Sequence, residues 1–141
     1  MSDALARLAG RICDGHVHVG NHRNLGRFQP SAVARDADSL GLRQLVVSST
    51  SGAQDQWDEA DAELQALASL LPNRVIPLLW VSPGLVTGGG LNRLPSFYRG
   101  FKIHPFAHPW HPTHPDLIRV FESASVRRWP VLVHTGWTPE S

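Results

Sequence analysis

The sequence predicts an α/β protein with a parallel sheet, on three observations. Short runs rich in Val, Ile and Leu recur along the chain, and turn residues follow each run. Their markers Ile12, Leu45, Val75, Phe101 and Val131 are separated by 33, 30, 26 and 30 residues, close to the length of one βαβ unit. The segments between the runs carry helical patterns. Alternating strands and helices require a parallel sheet with covered faces, either doubly wound or a (β/α)₈ barrel.

Each of the five predicted strands is a short apolar run bounded by turn or charged residues. Runs of about four to eight such residues are typical of buried strands. They lie in RICDGHVHVG (11–20), RQLVVSST (43–50), RVIPLLWVSPG (74–84), RGFKIHP (99–105) and WPVLVHTG (129–136).

Two of the connections carry a clear amphipathic helix. Residues 57–71 place apolar side chains on one helical face, and Pro72 ends the pattern. The members of that face are Trp57, Ala60, Leu64, Leu67, Ala68 and Leu71. The second helix begins at Pro115, with Asp116 at its positive end and arginines near its negative end. Its apolar face consists of Leu117, Val120, Phe121 and Ala124, and its arginines are Arg127 and Arg128.

The other two connections have weaker patterns. Residues 30–41 predict a shorter helix that begins around Ser31 and is closed by Gly41. The segment GLVTGGGLNRLPSFY (84–98) predicts a loop or one short helical turn, because three successive glycines and Pro95 oppose a longer helix.

Length and composition exclude several classes of protein. A chain of 141 residues is the size of one domain, and 13 basic against 12 acidic residues form no basic run that would bind nucleic acid. The N-terminus lacks the uninterrupted apolar region of a signal peptide, and no apolar run approaches the roughly 20 residues of a membrane span. The single cysteine, Cys13, forms no internal disulfide and is expected to be a small buried residue facing the helices. We expect a cytoplasmic protein without a membrane partner.

Histidines follow three of the predicted strands at the end where ligand sites of parallel sheets lie. His16 and His18 end the first strand and point to the same face, because strand side chains alternate. Chance alone gives roughly 0.4 such pairs at this histidine content, so the pair needs support from other strands. Lys102 and His104 end the fourth strand and His134 ends the fifth. Convergent neutral imidazoles favour a divalent metal site, with zinc foremost and iron, manganese or nickel also compatible.

Three segments resemble one known family when they are taken in this order and at this spacing. DGHVHVG, GFKIHPFAH and PVLVHTG (14–20, 100–108 and 130–136) are similar to the amidohydrolase superfamily, in particular its amidohydrolase-2 branch of metal-dependent hydrolases and decarboxylases. The resemblance covers almost the whole chain. It implies a partial (β/α)₈ TIM barrel with about five parallel strands, truncated after the fifth strand, so that residues 1–141 form a single incomplete barrel domain.

The resemblance also implies roles for individual residues. His16, His18 and His134 would bind the metal. The lysine of the fourth strand is carboxylated in some relatives to bridge two metals, and for Lys102 we favour an unmodified side chain that contacts an anionic substrate group. Further candidates for substrate binding are His104, His22 and Arg23.

Four other polar residues near the predicted site have simpler interpretations. Asp14 is expected to orient or pack near the histidines without ligating. His108, His111 and His114 are interpreted as polar residues of an exposed, proline-rich loop.

The resemblance predicts a hydrolase that uses metal-activated water on a small carboxylate-bearing or ester/lactone substrate. The alternatives are a decarboxylase of the same family, or a non-catalytic truncated remnant that only binds metal. Relatives add a histidine from the sixth strand and an aspartate from the eighth, and the chain contains neither, so no catalytic base is assigned. An incomplete barrel also leaves a strand edge open, which suggests a homo-oligomer or a complementary chain as partner besides the small-molecule substrate.

Overall fold

The computed structural model describes residues 8–22, 24–108 and 110–135. Strands and helices alternate along it, as the sequence predicts. The strands are β1 (Ile12–His22), β2 (Gly26–Phe28), β3 (Leu42–Ser49), β4 (Val75–Trp80), β5 (Gly100–Ile103) and β6 (Val131–Val133). The helices are α1 (Pro30–Ser39), α2 (Trp57–Leu70), α3 (Pro83–Thr87) and α4 (Pro115–Arg127), with single 3₁₀ turns at Gly52–Gln54 and Gly90–Asn92.

The strands form one mixed sheet in the order β2-β1-β3-β4-β5-β6, curled into a half-barrel. Four neighbouring pairs are parallel, namely β1–β3, β3–β4, β4–β5 and β5–β6. This confirms the predicted α/β class. The antiparallel strand β2 was not predicted, because three residues are too few to show an alternating pattern. No strand of the described residues pairs with the outer edge of β6. A homo-oligomeric or complementary partner at that edge stays a prediction.

The helices agree with the sequence patterns. Proline occupies the first turn of α1, α3 and α4, where its missing N–H breaks no hydrogen bond. The apolar face predicted for α2 is buried or half-buried throughout. The glycine-rich third connection contains only the five-residue α3 and one 3₁₀ turn, as its sequence indicates. Within the described ranges, no helix combines the length and the apolar character that a bilayer crossing requires.

Side chains alternate between the two faces of the sheet, and this alternation separates the core from the site. After the register shift in β1, odd-numbered strand residues pack under the helices in one apolar core. They include Val19, Val47, Leu79, Phe101 and Ile103, all 3% exposed or less. Even-numbered residues point to the opposite, inner face of the curled sheet, where the polar candidates lie.

Two predicted core residues are exposed. Cys13 was expected to be buried, but it is exposed, with its Sγ 3.9 Å from Gln44 Oε1. The reason is the irregular register of β1 against β3, which pairs Cys13 with Gln44 and so turns it to the inner face of the sheet, away from the helices. Phe121 is 44% exposed, because it lies at the side of the buried stripe of α4 and not at its centre.

Gly20 is a position of the sheet with no room for a side chain. Its φ is +96°, and an added Cβ would lie 2.5 Å from Glu63 Oε2 and 2.7 Å from Ser49 Oγ. We expect Gly20→Ala to lower the free energy of unfolding by about 3–5 kcal/mol, from backbone strain together with overpacking. Gly26→Ala is the matched control, since its φ is +82° but no atom lies within 4 Å of an added Cβ. Its cost should be about 1–2 kcal/mol, from strain alone. Equal losses in urea denaturation would contradict the packing argument.

Candidate metal and substrate site

The candidate site lies on the inner face of the sheet, at the carboxyl ends of the parallel strands. His16 and His18 come from β1, Lys102 from β5, and His134 directly follows β6. All four are even-numbered, so strand alternation turns them toward the same face. Between Asp14 and Val17 the register of β1 shifts by one residue against β3, which places both Gly15 and His16 opposite Val46. Bulges of this kind re-aim a side chain.

His16 and His18 are close enough to share one ion. Their Nε2 atoms are 3.1 Å apart and their ring centroids 4.8 Å apart. Two imidazoles bound to a single tetrahedral Zn²⁺ at the usual bond length have nitrogens about 3.4 Å and centroids about 5 Å apart. The predicted pair of ligands therefore fits a divalent metal ion.

The surroundings of His18 favour the form that binds metals. Its Nδ1 lies 3.3 Å from the carbonyl oxygen and 3.1 Å from the Oγ of Ser48, the residue opposite it on β3. When Nδ1–H donates to that carbonyl, Nε2 keeps its lone pair. Burial is the main cause that lowers the pKa of His18 to about 4. The ring is therefore neutral at pH 7, as a metal ligand must be.

Lys102 completes a close cluster with the two histidines. Its Nζ is 3.1 Å from His16 Nε2. His16 Nε2 has a single lone pair, so it can accept a hydrogen bond from Lys102 or bind a cation, but not both at once. A metal ion on His16 and His18 would therefore require the Lys102 amine to turn away from His16 Nε2.

Lys102 is the only lysine of the chain, and it is fully buried. Its ammonium group lies 5.9 Å from the centroid of the Trp80 ring. In the described part of the chain, no carboxylate lies within 4.0 Å of it. Burial lowers the pKa of Lys102. A buried cation without a carboxylate partner is a ready contact for an anionic ligand.

His134 reaches the same edge of the sheet but does not join the pair. Its ring centroid is 6.4 Å from that of His16, and it stacks on His104 at 4.0 Å with the rings 10° from parallel. Over residues 8–22, 24–108 and 110–135, no group of three or more His, Cys, Asp or Glu side chains is arranged to hold a metal. His134 as the third ligand therefore stays a prediction.

A pocket of about 640 Å³ adjoins the cluster. Its apolar wall is made by Trp80 and Phe106, and His104 stacks on Trp80 with ring centroids 5.4 Å apart. The pKa of His104 is lowered to about 4, mainly by burial and to a smaller extent by the nearby His134. The polar wall consists of Asn21, His22, Asn24, Thr50 and Gln54. The described residues that line it include no carboxylate, so the pocket suits an uncharged or anionic ligand.

The remaining predicted residues have different positions. His22 lines the pocket, whereas Arg23 lies outside the described residues. Asp14 accepts a hydrogen bond from the His16 backbone N–H at 3.0 Å, which agrees with an orienting role. His114 caps α4 by accepting from Asp116 N, and His111 lies 2.9 Å from Thr113 Oγ1. His111 is exposed, as expected, whereas His114 is half-buried and has a structural role.

Sequence reasoning missed Trp80, Phe106 and Ser48. Trp80 is the last residue of β4 and lies opposite Lys102 in the sheet register. The rule that strand ends carry ligand groups applies to Trp80 and Ser48 as well, but apolar and hydroxyl side chains gave no signal of metal chemistry. Phe106 follows β5 in a loop whose path the sequence does not specify.

Comparison with known proteins gives a similar fold. No protein-family model matches the sequence, and no curated protein matches it at a significant level. The structure is similar to that of a probable 2-pyrone-4,6-dicarboxylic acid hydrolase from Acinetobacter baumannii with citric acid bound, with a TM-score of 0.62 at 17% sequence identity. The match covers 88% of this chain and 49% of that protein, so this chain spans about half its length. The likeness shows a shared TIM-barrel-type fold.

Proposed function

We propose that the chain carries part of the active site of a metal-dependent hydrolase of the amidohydrolase superfamily. The substrate would be a small carboxylate-bearing ester or lactone. The observation that carries the proposal is a cluster in which His16 Nε2 lies 3.1 Å from both His18 Nε2 and Lys102 Nζ. It lies beside a pocket whose described lining residues include no carboxylate. The similar fold of a probable lactone hydrolase supports it.

His16 and His18 would hold the metal ion, with His134 as the third ligand. A bound divalent ion supplies Lewis acidity and lowers the pKa of water toward neutrality. Ser48 would hold the His18 ring through Nδ1, and Asp14 would fix the backbone of His16. Partners of this kind orient the ligands of a metal site and commonly alter its affinity by about 10- to 100-fold.

Lys102 would bind the carboxylate of the substrate. An unpaired ammonium group in a water-poor site attracts an anion far more strongly than an exposed lysine does. Trp80 and Phe106 would pack against the body of the substrate, while the amides and His22 on the opposite wall contact its oxygen atoms. The N–H and O–H donors of that wall suit a second acceptor group on the substrate.

The non-catalytic alternative has one observation in its favour. Among the described residues, the only carboxylate that contacts the cluster is Asp14, which is engaged with the His16 amide. A general base for hydrolysis is therefore not identified. Without a general base, the protein would bind metal but would not turn over a substrate.

The decisive experiment uses the purified 141-residue chain, loaded with Zn²⁺ or stripped with a chelator. The probe is 2-pyrone-4,6-dicarboxylate, whose ring opening is followed by absorbance. The proposal predicts turnover above the buffer rate that depends on metal and is lost in Lys102→Met. His111→Ala, in an exposed loop, is the control and should keep wild-type activity.

Three other outcomes would overturn the proposal. Release of CO₂ from the probe or from an aromatic carboxylate would indicate the decarboxylase. Bound metal without turnover of the lactone or of simple carboxylate esters would indicate the non-catalytic protein. Turnover that is unchanged after complete removal of metal would refute the role of the metal.

A further inference from the structure

We propose that Arg27 is a positioning residue: it holds the β1–β2 hairpin against α2 and thereby sets His22 at the wall of the pocket. The part of the inference in which this wall contacts the substrate rests on the proposed function. Its structural part, the fixed orientation of His22, can be tested without substrate or metal.

Arg27 joins the hairpin to two turns of one helix. Its guanidinium nitrogen is 3.1 Å from Glu59 Oε1 and 3.2 Å from Glu63 Oε1. The two glutamates are four residues apart on α2, so they lie on one face of the helix. Glu59 is 40% exposed and Glu63 is 5% exposed. The contact with Glu63 is the better shielded from salt.

Glu63 is itself fixed by the ends of the site strands. Its Oε2 accepts hydrogen bonds from Ser49 Oγ at 2.6 Å and Ser51 Oγ at 3.0 Å. The same oxygen lies beside Gly20, the first residue of β1 that pairs with β2. Arg27 therefore joins the hairpin to a rigid, buried anchor and not to a freely moving surface side chain.

The hairpin carries three pocket-lining residues, namely Asn21, His22 and Asn24. Gln54 Nε2 donates to the carbonyl oxygen of Asn21 at 2.8 Å, which holds the base of the hairpin. Arg27 is opposite Asn21 on the second strand. Gln54 therefore holds the first strand of the hairpin, and Arg27 anchors the second strand to α2.

His22 has a single tautomer in this arrangement. Its Nδ1 accepts the backbone N–H groups of Asn24 and Leu25, each at 3.2 Å. A backbone N–H can only donate, so Nδ1 carries no proton and the neutral ring carries its proton on Nε2. The pocket wall is thereby given an N–H donor at a fixed place, suited to a carboxylate or carbonyl oxygen of the substrate.

The test compares Arg27→Met with Arg119→Met, which removes another exposed arginine that pairs with Asp116 at 3.2 Å. Histidine ¹⁵N NMR of the wild type should show His22 with a bare Nδ1 and a protonated Nε2. In Arg27→Met we expect averaged nitrogen shifts for His22 and about five- to tenfold faster amide exchange at residues 20–22 and 24–28. Arg27→Lys should restore most of the protection.

An unchanged His22 spectrum and unchanged hairpin exchange in Arg27→Met would overturn the proposal. So would exchange that rises equally in all segments, because that result indicates general destabilisation. If the chain hydrolyses the pyrone, Arg27→Met should raise KM severalfold and leave kcat within about twofold. A protein without any turnover would refute the proposed hydrolase but leave the NMR result to decide the role of Arg27.

Discussion

Replacing Lys102 by Met should make the protein more stable and inactive at the same time. The ammonium group is fully buried and contacts His16 and the Trp80 ring, with no carboxylate within 4.0 Å among the described residues. Met keeps most of the side-chain volume and removes the cost of burying a charge. We expect a gain of about 1–3 kcal/mol in the free energy of unfolding, and loss of carboxylate binding and turnover.

The measurement is urea denaturation of the metal-free protein, since a bound metal adds its own stabilisation. Arg119→Met is the control for a cation that is exposed and paired, and it should change stability by less than about 0.5 kcal/mol. Because the chain has a single lysine, mass spectrometry after exposure to ¹³C-bicarbonate tests whether Lys102 is carboxylated. If Lys102→Met instead has a lower free energy of unfolding than the wild type, the buried ammonium group has a compensating partner.

Replacing His18 by Ala should remove high-affinity metal binding. His18 Nε2 lies 3.1 Å from His16 Nε2 and belongs to a neutral ring held by Ser48, so its loss leaves one imidazole of the pair. We expect affinity for Co²⁺ or Zn²⁺ to fall by more than about 100-fold, and Ser48→Ala to cost about tenfold. Co²⁺ absorption and competition with a chromophoric chelator give both values.

Two histidine variants complete this experiment. His111→Ala, in the exposed loop, should bind metal as the wild type does. His134→Ala tests the third ligand: a loss as large as that in His18→Ala would support His134 as a ligand, and an unchanged affinity would exclude it. Retained affinity in His18→Ala would contradict the metal site itself.

The residue pattern was sufficient for much of the fold and part of the site. Short apolar runs, and helical patterns that begin around Ser31 or Pro115 or end at Pro72, are local properties, so strand and helix positions could be predicted directly. The alternation of side chains along a strand placed His16 and His18 on one face. It could not predict the short strand β2, which carries no pattern of its own and forms only by pairing with β1.

The composition and periodicity of the chain were enough to determine an α/β architecture with imidazoles and one lysine at the strand ends, because these depend on spacing along a single strand. Only the tertiary structure decided which of those groups meet. Lys102 contacts His16, which is 86 residues away, while His134 stacks on His104. Distances between strands depend on sheet curl, register and packing under the helices, and no single segment contains that information.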